Sequence, residues 1–184
     1  MDKGKIIILS GPSGVGKKTV RELIDMDRYN LVNSVSWTTR EPREEDIEGV
    51  TYHFVTEDEF QKEVERGGFA EHAGFARHAY GTPKKQLEDL VNQGKNVLLE
   101  IEVQGARQLM EKFPEAETIF LVPPTIDVLY KRLTGRNTES EEAVKARMER
   151  AREEMNLAGL YKHVVVNDDA SRAAREIESI IAGK

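Results

Sequence analysis

At 184 residues, 39% hydrophobic and 33% charged, the chain suits one compact, well-solvated domain and not a disordered or fibrous protein. A net charge of −6 argues against nucleic-acid or anionic-membrane partners, which need basic patches, and nothing in the composition implies a protein partner. The absence of cysteine rules out disulfides and thiolate metal sites and suits a reducing cytosol; with no bilayer-length apolar run and no signal-peptide pattern, a cytoplasmic location is expected.

Lys5–Ser10 (KIIILS) is a short β-branched run of the kind that forms a strand buried on both faces. A glycine-rich turn comes next, and Lys18–Met26 has helical spacing. Between about Ser34 and Gly81 the rhythm changes to short strand-like pieces, Val50–Phe54 and Phe69–Gly74, around one helix opened by the capping box Thr56-Glu57-Asp58-Glu59. Thr82 with Pro83 then predicts a helix start, and Gly94 its end. Apolar runs at Asn96–Glu102, Thr118–Val122 and His163–Val166 predict further strands, with helices at about Gln104–Phe113 and Thr125–Leu133. A polar stretch, Gly135–Ser140, carries a second capping-box pattern from Thr138 to Glu141 and leads into a charged helix ending near Asn156. Strands alternating with helices predict an α/β protein, a parallel sheet covered by helices on both faces.

Gly11-Pro12-Ser13-Gly14-Val15-Gly16-Lys17 matches the first seven positions of the phosphate-binding loop G-x-x-x-x-G-K-[ST]. Glycines let backbone N–H groups turn toward phosphate oxygens, the helix start adds partial positive charge, and Lys17 can reach the β and γ phosphates. The motif succeeds a buried strand and opens a helix, as those mechanics require. Lys18 takes the eighth position, where a hydroxyl normally meets Mg²⁺; an ammonium has three donors and no acceptor. Thr19 is the neighbouring hydroxyl, and no metal ligand can be named from the sequence. The four histidines, His53, His72, His78 and His163, show no i, i+4 ligand spacing.

Together with the segments downstream of it, the loop resembles that of guanylate kinases, and the resemblance runs nearly the length of the chain. Ser34–Arg43 (SVSWTTREPR) is similar to the family's S-V-S-x-T-T-R-x-P-R segment, and Glu48–Phe54 (EGVTYHF) to its G-x-x-Y-x-F stretch. Phe69-Ala70-Glu71, Tyr80-Gly81-Thr82, Leu99–Gly105 (LEIEVQG), Arg136–Glu139 (RNTE) and Val166–Asp169 (VNDD) resemble further family elements in the same order. The resemblance implies a single domain with its core at about 1–33 and 82–184, an inserted small GMP-binding subdomain at about 34–81 and a mobile lid at about 135–156.

It also implies transfer of a phosphoryl group from ATP, with its Mg²⁺, to GMP or dGMP in purine nucleotide metabolism. Gly11 to Thr19, with Pro12, Ser13, Gly14, Val15, Gly16, Lys17 and Lys18 between them, would hold ATP, and Asn167 would lie near adenine. Arg40, Arg43, Tyr52 and Tyr80 would hold the GMP phosphate; Ser36, Glu71, Thr82 and Glu102 would recognise guanine. Lys17, Arg40, Arg43, Arg136 and Arg147 would serve the chemical step. Those residue types suit it. The acceptor phosphate is already deprotonated near pH 7, so no general base is required, and the obstacle is repulsion between two anionic nucleotides. Arginine answers that with a permanent charge and bidentate geometry. Guanine presents N1–H and N2–H₂ as adjacent donors, which suit a carboxylate at Glu71; Ser36 and Thr82 hydroxyls suit O6 or N7. Adenine would face the same carboxylate with a lone pair.

Departures from the family pattern fall at four places: Lys18, Trp37 where a smaller residue is usual, the segment Arg77-His78-Ala79 before Tyr80, and Asn137 in the lid. The rival class is a non-catalytic guanylate-kinase-like module that binds phosphorylated protein segments. Lys17, the loop glycines, Arg136 and Arg147 speak against it. A kinase for another nucleoside monophosphate is a third reading, opposed by Glu71, Ser36 and Thr82.

Overall fold

The computed structural model describes residues 3–75, 77–134 and 141–184. The chain divides into two compact units, one of Met1–Ile6, Leu31–Leu99 and Gln104–Ala116, the other of Ile7–Asn30, Glu100–Val103 and Glu117–Lys184.

The second unit carries β1 (Ile6–Ser10), whose five residues are all buried, as expected of a strand covered on both faces. It pairs in parallel with β8 (Glu117–Val122), and β8 pairs in parallel with β9 (His163–Val166). Around them lie α1 (Lys17–Glu22), α5 (Ile126–Thr134), α6 (Glu141–Met155) and α7 (Ala170–Ile181). Leu129 and Leu133 of α5 close a core with Met148 and Ala151 of α6, an apolar seam inside an otherwise charged helix. The helix α7 is not among the elements expected from the sequence, although its signals are local. Asp169 caps it by accepting from the Arg172 N–H at 2.8 Å, and Ala173, Ala174, Ile177 and Ile181 form its buried stripe against α1, β8 and β9.

In the first unit, β2 (Leu31–Asn33) pairs in parallel with β7 (Asn96–Glu100). A four-stranded sheet has the order β4 (His53–Phe54), β3 (Trp37–Thr38), β6 (His78–Pro83), β5 (Phe69–Phe75). The β5–β6 pair is antiparallel, α2 (Glu57–Glu65) packs on β5, and α3 (Lys84–Asn92) packs on β5 and β6. The capping box of α2 forms as expected: Thr56 Oγ1 accepts from the Glu59 N–H, and Glu59 accepts from the Thr56 N–H. The helix expected from Thr82 instead begins at Lys84, with Pro83 at its cap. Thr82 belongs to β6, where its hydroxyl is used across the sheet and not for capping. Helix α4 (Val103–Lys112) begins one residue earlier than its spacing suggests.

Candidate active site

The loop between β1 and α1 holds three glycines at positive φ: Gly11 at 151°, Gly14 at 81° and Gly16 at 97°. A Cβ on Gly11 would sit 2.5 Å from the Leu121 carbonyl oxygen, so close approach and backbone conformation both demand glycine there. Lys17 curls back over its own loop and donates from Nζ to the Gly11 carbonyl at 2.7 Å. The Glu102 carboxylate lies 3.9 Å from the same Nζ.

Burial pushes the Glu102 carboxyl above its ordinary range; Lys17 pulls the other way, and the negative charge of Glu154 adds to the rise. Ser10 Oγ and Glu102 Oε2 are buried and have no hydrogen-bond partner among the described residues.

Asn167, which is 4% exposed, donates from Nδ2 to the Val15 carbonyl at 2.8 Å, and its backbone N–H donates to Val122 at 2.8 Å. It therefore ties the end of β9 to the glycine loop. Arg132 braces the same corner, donating to the carbonyls of Val15 at 3.0 Å and Asn167 at 3.1 Å. Arg147 reaches back from α6 to Ser13 Oγ at 3.5 Å. Lys18 takes another course: its side chain is 72% exposed and its Nζ lies 3.9 Å from Glu22, one turn along α1. Thr19 is likewise exposed. Arg136, Asn137 and the box from Thr138 to the Glu141 side chain lie outside the described residues.

The four-stranded sheet of the first unit gathers the other set. Glu71 on β5 pairs in register with Thr82 on β6, and Thr82 Oγ1 donates to Glu71 Oε1 at 2.6 Å. Trp37 pairs with Gly81, so the register sets the preceding Ser36 level with Thr82. Tyr80, two residues from Thr82 on one strand, shares its face of the sheet. Glu71 is 4% exposed, and burial raises its carboxyl above the ordinary range against the lowering influence of the Thr82 hydrogen bonds and the Lys112 charge.

Tyr80 meets Tyr52 edge-on at 5.8 Å, and the Arg40 guanidinium lies over the Tyr52 ring at 5.4 Å and the Phe54 ring at 5.6 Å. Arg40, Tyr52 and Tyr80 thus form one cluster, while the Arg43 side chain is exposed. Burial works against the Arg40 charge, but the hydrogen bond and charge of Asp46 outweigh it and raise its pKa.

A profile described as guanylate kinase matches residues 3–184. The chain belongs to the guanylate kinase family. A guanylate kinase of Onion yellows phytoplasma (strain OY-M) is 51% identical over 181 residues, covering 97% of this chain and 85% of that protein. One of Malacoplasma penetrans (strain HF-2) is 47% identical, over 99% of this chain and 94% of that protein. The crystal structure of guanylate kinase from Anaplasma phagocytophilum superposes with a TM-score of 0.79 at 35% identity, covering all of this chain and 87% of that one.

Asp46 is not among the site residues expected from the sequence, yet it organises the arginine loop. Its Oδ2 accepts from Arg40 Nη2 at 2.8 Å and from the Arg43 N–H at 2.8 Å. The Arg43 N–H, and after it Arg40, holds the Asp46 carboxyl below its usual range. A local clue exists, since a carboxylate three residues after one arginine and six after another can close such a turn. Arg132 is harder to foresee: its two acceptors lie 117 and 35 residues away.

Proposed function

We infer that this guanylate kinase family enzyme transfers the γ-phosphoryl group of ATP to GMP, forming GDP and ADP. Relatives named guanylate kinase at about half identity span nearly the whole chain, and they do not favour the non-catalytic module. The observation that carries the base preference is the buried Glu71 carboxylate, held by Thr82 on the same sheet as the Arg40–Tyr52–Tyr80 cluster. In this reading Glu71, with Oε1 held by the Thr82 hydroxyl, accepts from guanine N1–H and N2–H₂; the one Thr82 O–H is spent on that carboxylate, so the Ser36 hydroxyl is left to donate to O6. Arg40 and Arg43, with Tyr52 and Tyr80, hold the acceptor phosphate. On the donor side, loop N–H groups from Gly11 to Lys17 cradle the ATP phosphates. Lys17 exchanges the Gly11 carbonyl for phosphate oxygen, and Arg147 adds charge. The acceptor oxygen attacks as its anion, so these residues position the groups and neutralise charge without taking a proton.

Mg²⁺ would be carried with ATP and would supply neutralisation of phosphate charge. The donor set fits a hard cation: Glu102, which the family resemblance assigns to guanine, lies 3.9 Å from Lys17 of the glycine loop, its Oε2 and Ser10 Oγ are buried without hydrogen-bond partners among the described residues, and carboxylate and hydroxyl oxygens suit Mg²⁺. Lys18 points toward Glu22 and contributes no acceptor. Use of dGMP and a cytoplasmic place in purine nucleotide metabolism belong to the same reading; no helix of the described residues is long and apolar enough to cross a membrane.

A coupled assay of ADP release with GMP, AMP, CMP and UMP as acceptors tests it. Strong preference for GMP is the expected result. Equal use of AMP would remove Glu71 from its assigned role, and no turnover with any acceptor alongside phosphopeptide binding would return the module reading.

A further inference from the structure

Three residues of α4, Gly105, Gln108 and Lys112, stand at i, i+3 and i+7 on one helix face, and between them they meet three consecutive residues of β5, Ala70 to His72. Gln108 bridges His72 in both directions, donating from Nε2 to its carbonyl at 2.8 Å and accepting its N–H at 3.2 Å. Lys112 Nζ donates to the Ala70 carbonyl. Between these two anchors lies Glu71. A Cβ added at Gly105 would fall 2.2 Å from Glu71 Oε2 and 2.9 Å from its Cδ.

Gly105 does not occupy the positive-φ region, so its backbone does not require glycine. Inside a helix, alanine would be better by roughly 0.5–1 kcal/mol. The residue is therefore glycine for the space it leaves, and the Glu71 carboxylate fills that space. Thr82 holds the other oxygen, Oε1, at 2.6 Å, so one carboxylate oxygen is fixed by a hydrogen bond and the second occupies the room left at Gly105.

We propose that Gly105 and Gln108 are positioning residues for purine selection: they set the depth and angle at which Glu71 presents its carboxylate to the base edge of the acceptor nucleotide. The inference rests on the reading of Glu71 as the guanine-contacting group. Gly105 supplies the room and Gln108 keeps β5 from sliding along α4. A hydrogen-bonding carboxylate shifted by an ångström no longer matches two donors at once, and misplacement of that size costs on the order of a hundredfold in rate.

The test compares the full chain with Gly105→Ala, Gln108→Ala and Glu71→Gln, measuring kcat and KM for GMP and AMP, KM for ATP, and Tm. Gly105→Ala is expected to lower kcat/KM for GMP by about 10²-fold, mostly through KM, and to shrink the GMP-to-AMP ratio with it. KM for ATP should stay unchanged. Gln108→Ala should move the ratio in the same direction, and it carries the test should Gly105→Ala fail to fold. A lower Tm or a uniform loss with both nucleotides, at an unaltered ratio, overturns the proposal while Glu71→Gln still collapses that ratio. If Glu71→Gln itself preserves the ratio, the underlying assignment of Glu71 falls, and the proposal with it.

Discussion

Substituting Gly16 by alanine probes whether the phosphate loop is held by backbone conformation and by Asn167 together. Gly16 caps α1 at φ 97° and ψ 28°, where an L side chain is strained by about 1–3 kcal/mol. The new Cβ would lie 2.7 Å from Asn167 Nδ2. That amide can swing away, but doing so gives up its 2.8 Å bond to the Val15 carbonyl, about 1 kcal/mol. Together the two effects predict a loss of roughly 2–4 kcal/mol, or about 5–15 °C in Tm for a chain of this size. Urea denaturation of Gly16→Ala, Asn167→Ala and the double variant separates them. The double variant should be more stable than additivity predicts by about 1 kcal/mol, because the clash and the lost bond are the same event. Strict additivity, or a Gly16→Ala loss below about 1 kcal/mol, would refute the reasoning.

Asp46→Asn keeps the size of the side chain but removes the charge that Arg40 and the Arg43 N–H share; KM for GMP should rise about tenfold or more with KM for ATP unmoved, and equal changes in both would sink this role. Burial raises the Glu71 carboxyl, so the folded chain binds that proton more tightly than the unfolded one. Its contribution is complete at low pH and fades as pH climbs from the ordinary carboxylate range through the raised folded value. Glu71→Gln should therefore flatten that part of the stability–pH curve, read by urea denaturation between about pH 4 and 7; parallel curves would contradict it. Lys18→Ser should leave the Mg²⁺ titration of activity unchanged, because Lys18 is 72% exposed and sits beside Glu22; a shifted titration would place its charge at the phosphates after all.

Local sequence determined a great deal about this chain. The run KIIILS, the glycine spacing and Lys17 define a strand, a turn and a phosphate-loop pattern within thirteen consecutive residues, and the capping box at Thr56–Glu59 forms as its residue types require. Such features are legible because each depends on φ preferences, on hydrogen bonds over three or four residues, or on burial of a contiguous run. Even α7 was within reach, since its cap at Asp169 and its buried stripe are both local.

What tertiary structure alone decided is where local preference met a distant competitor. Thr82 before Pro83 has the local signature of a helix start, yet its hydroxyl serves Glu71, eleven residues away across an antiparallel pair, and the strand runs on through Pro83. Asn167 shows its attachment to Val15 only after 152 residues of chain have folded back. Gly105 resembles any helical glycine until the carboxylate that fills its missing side chain is in view. A buried polar group takes whichever partner the fold brings within 3 Å, and spacing along the chain does not fix that partner.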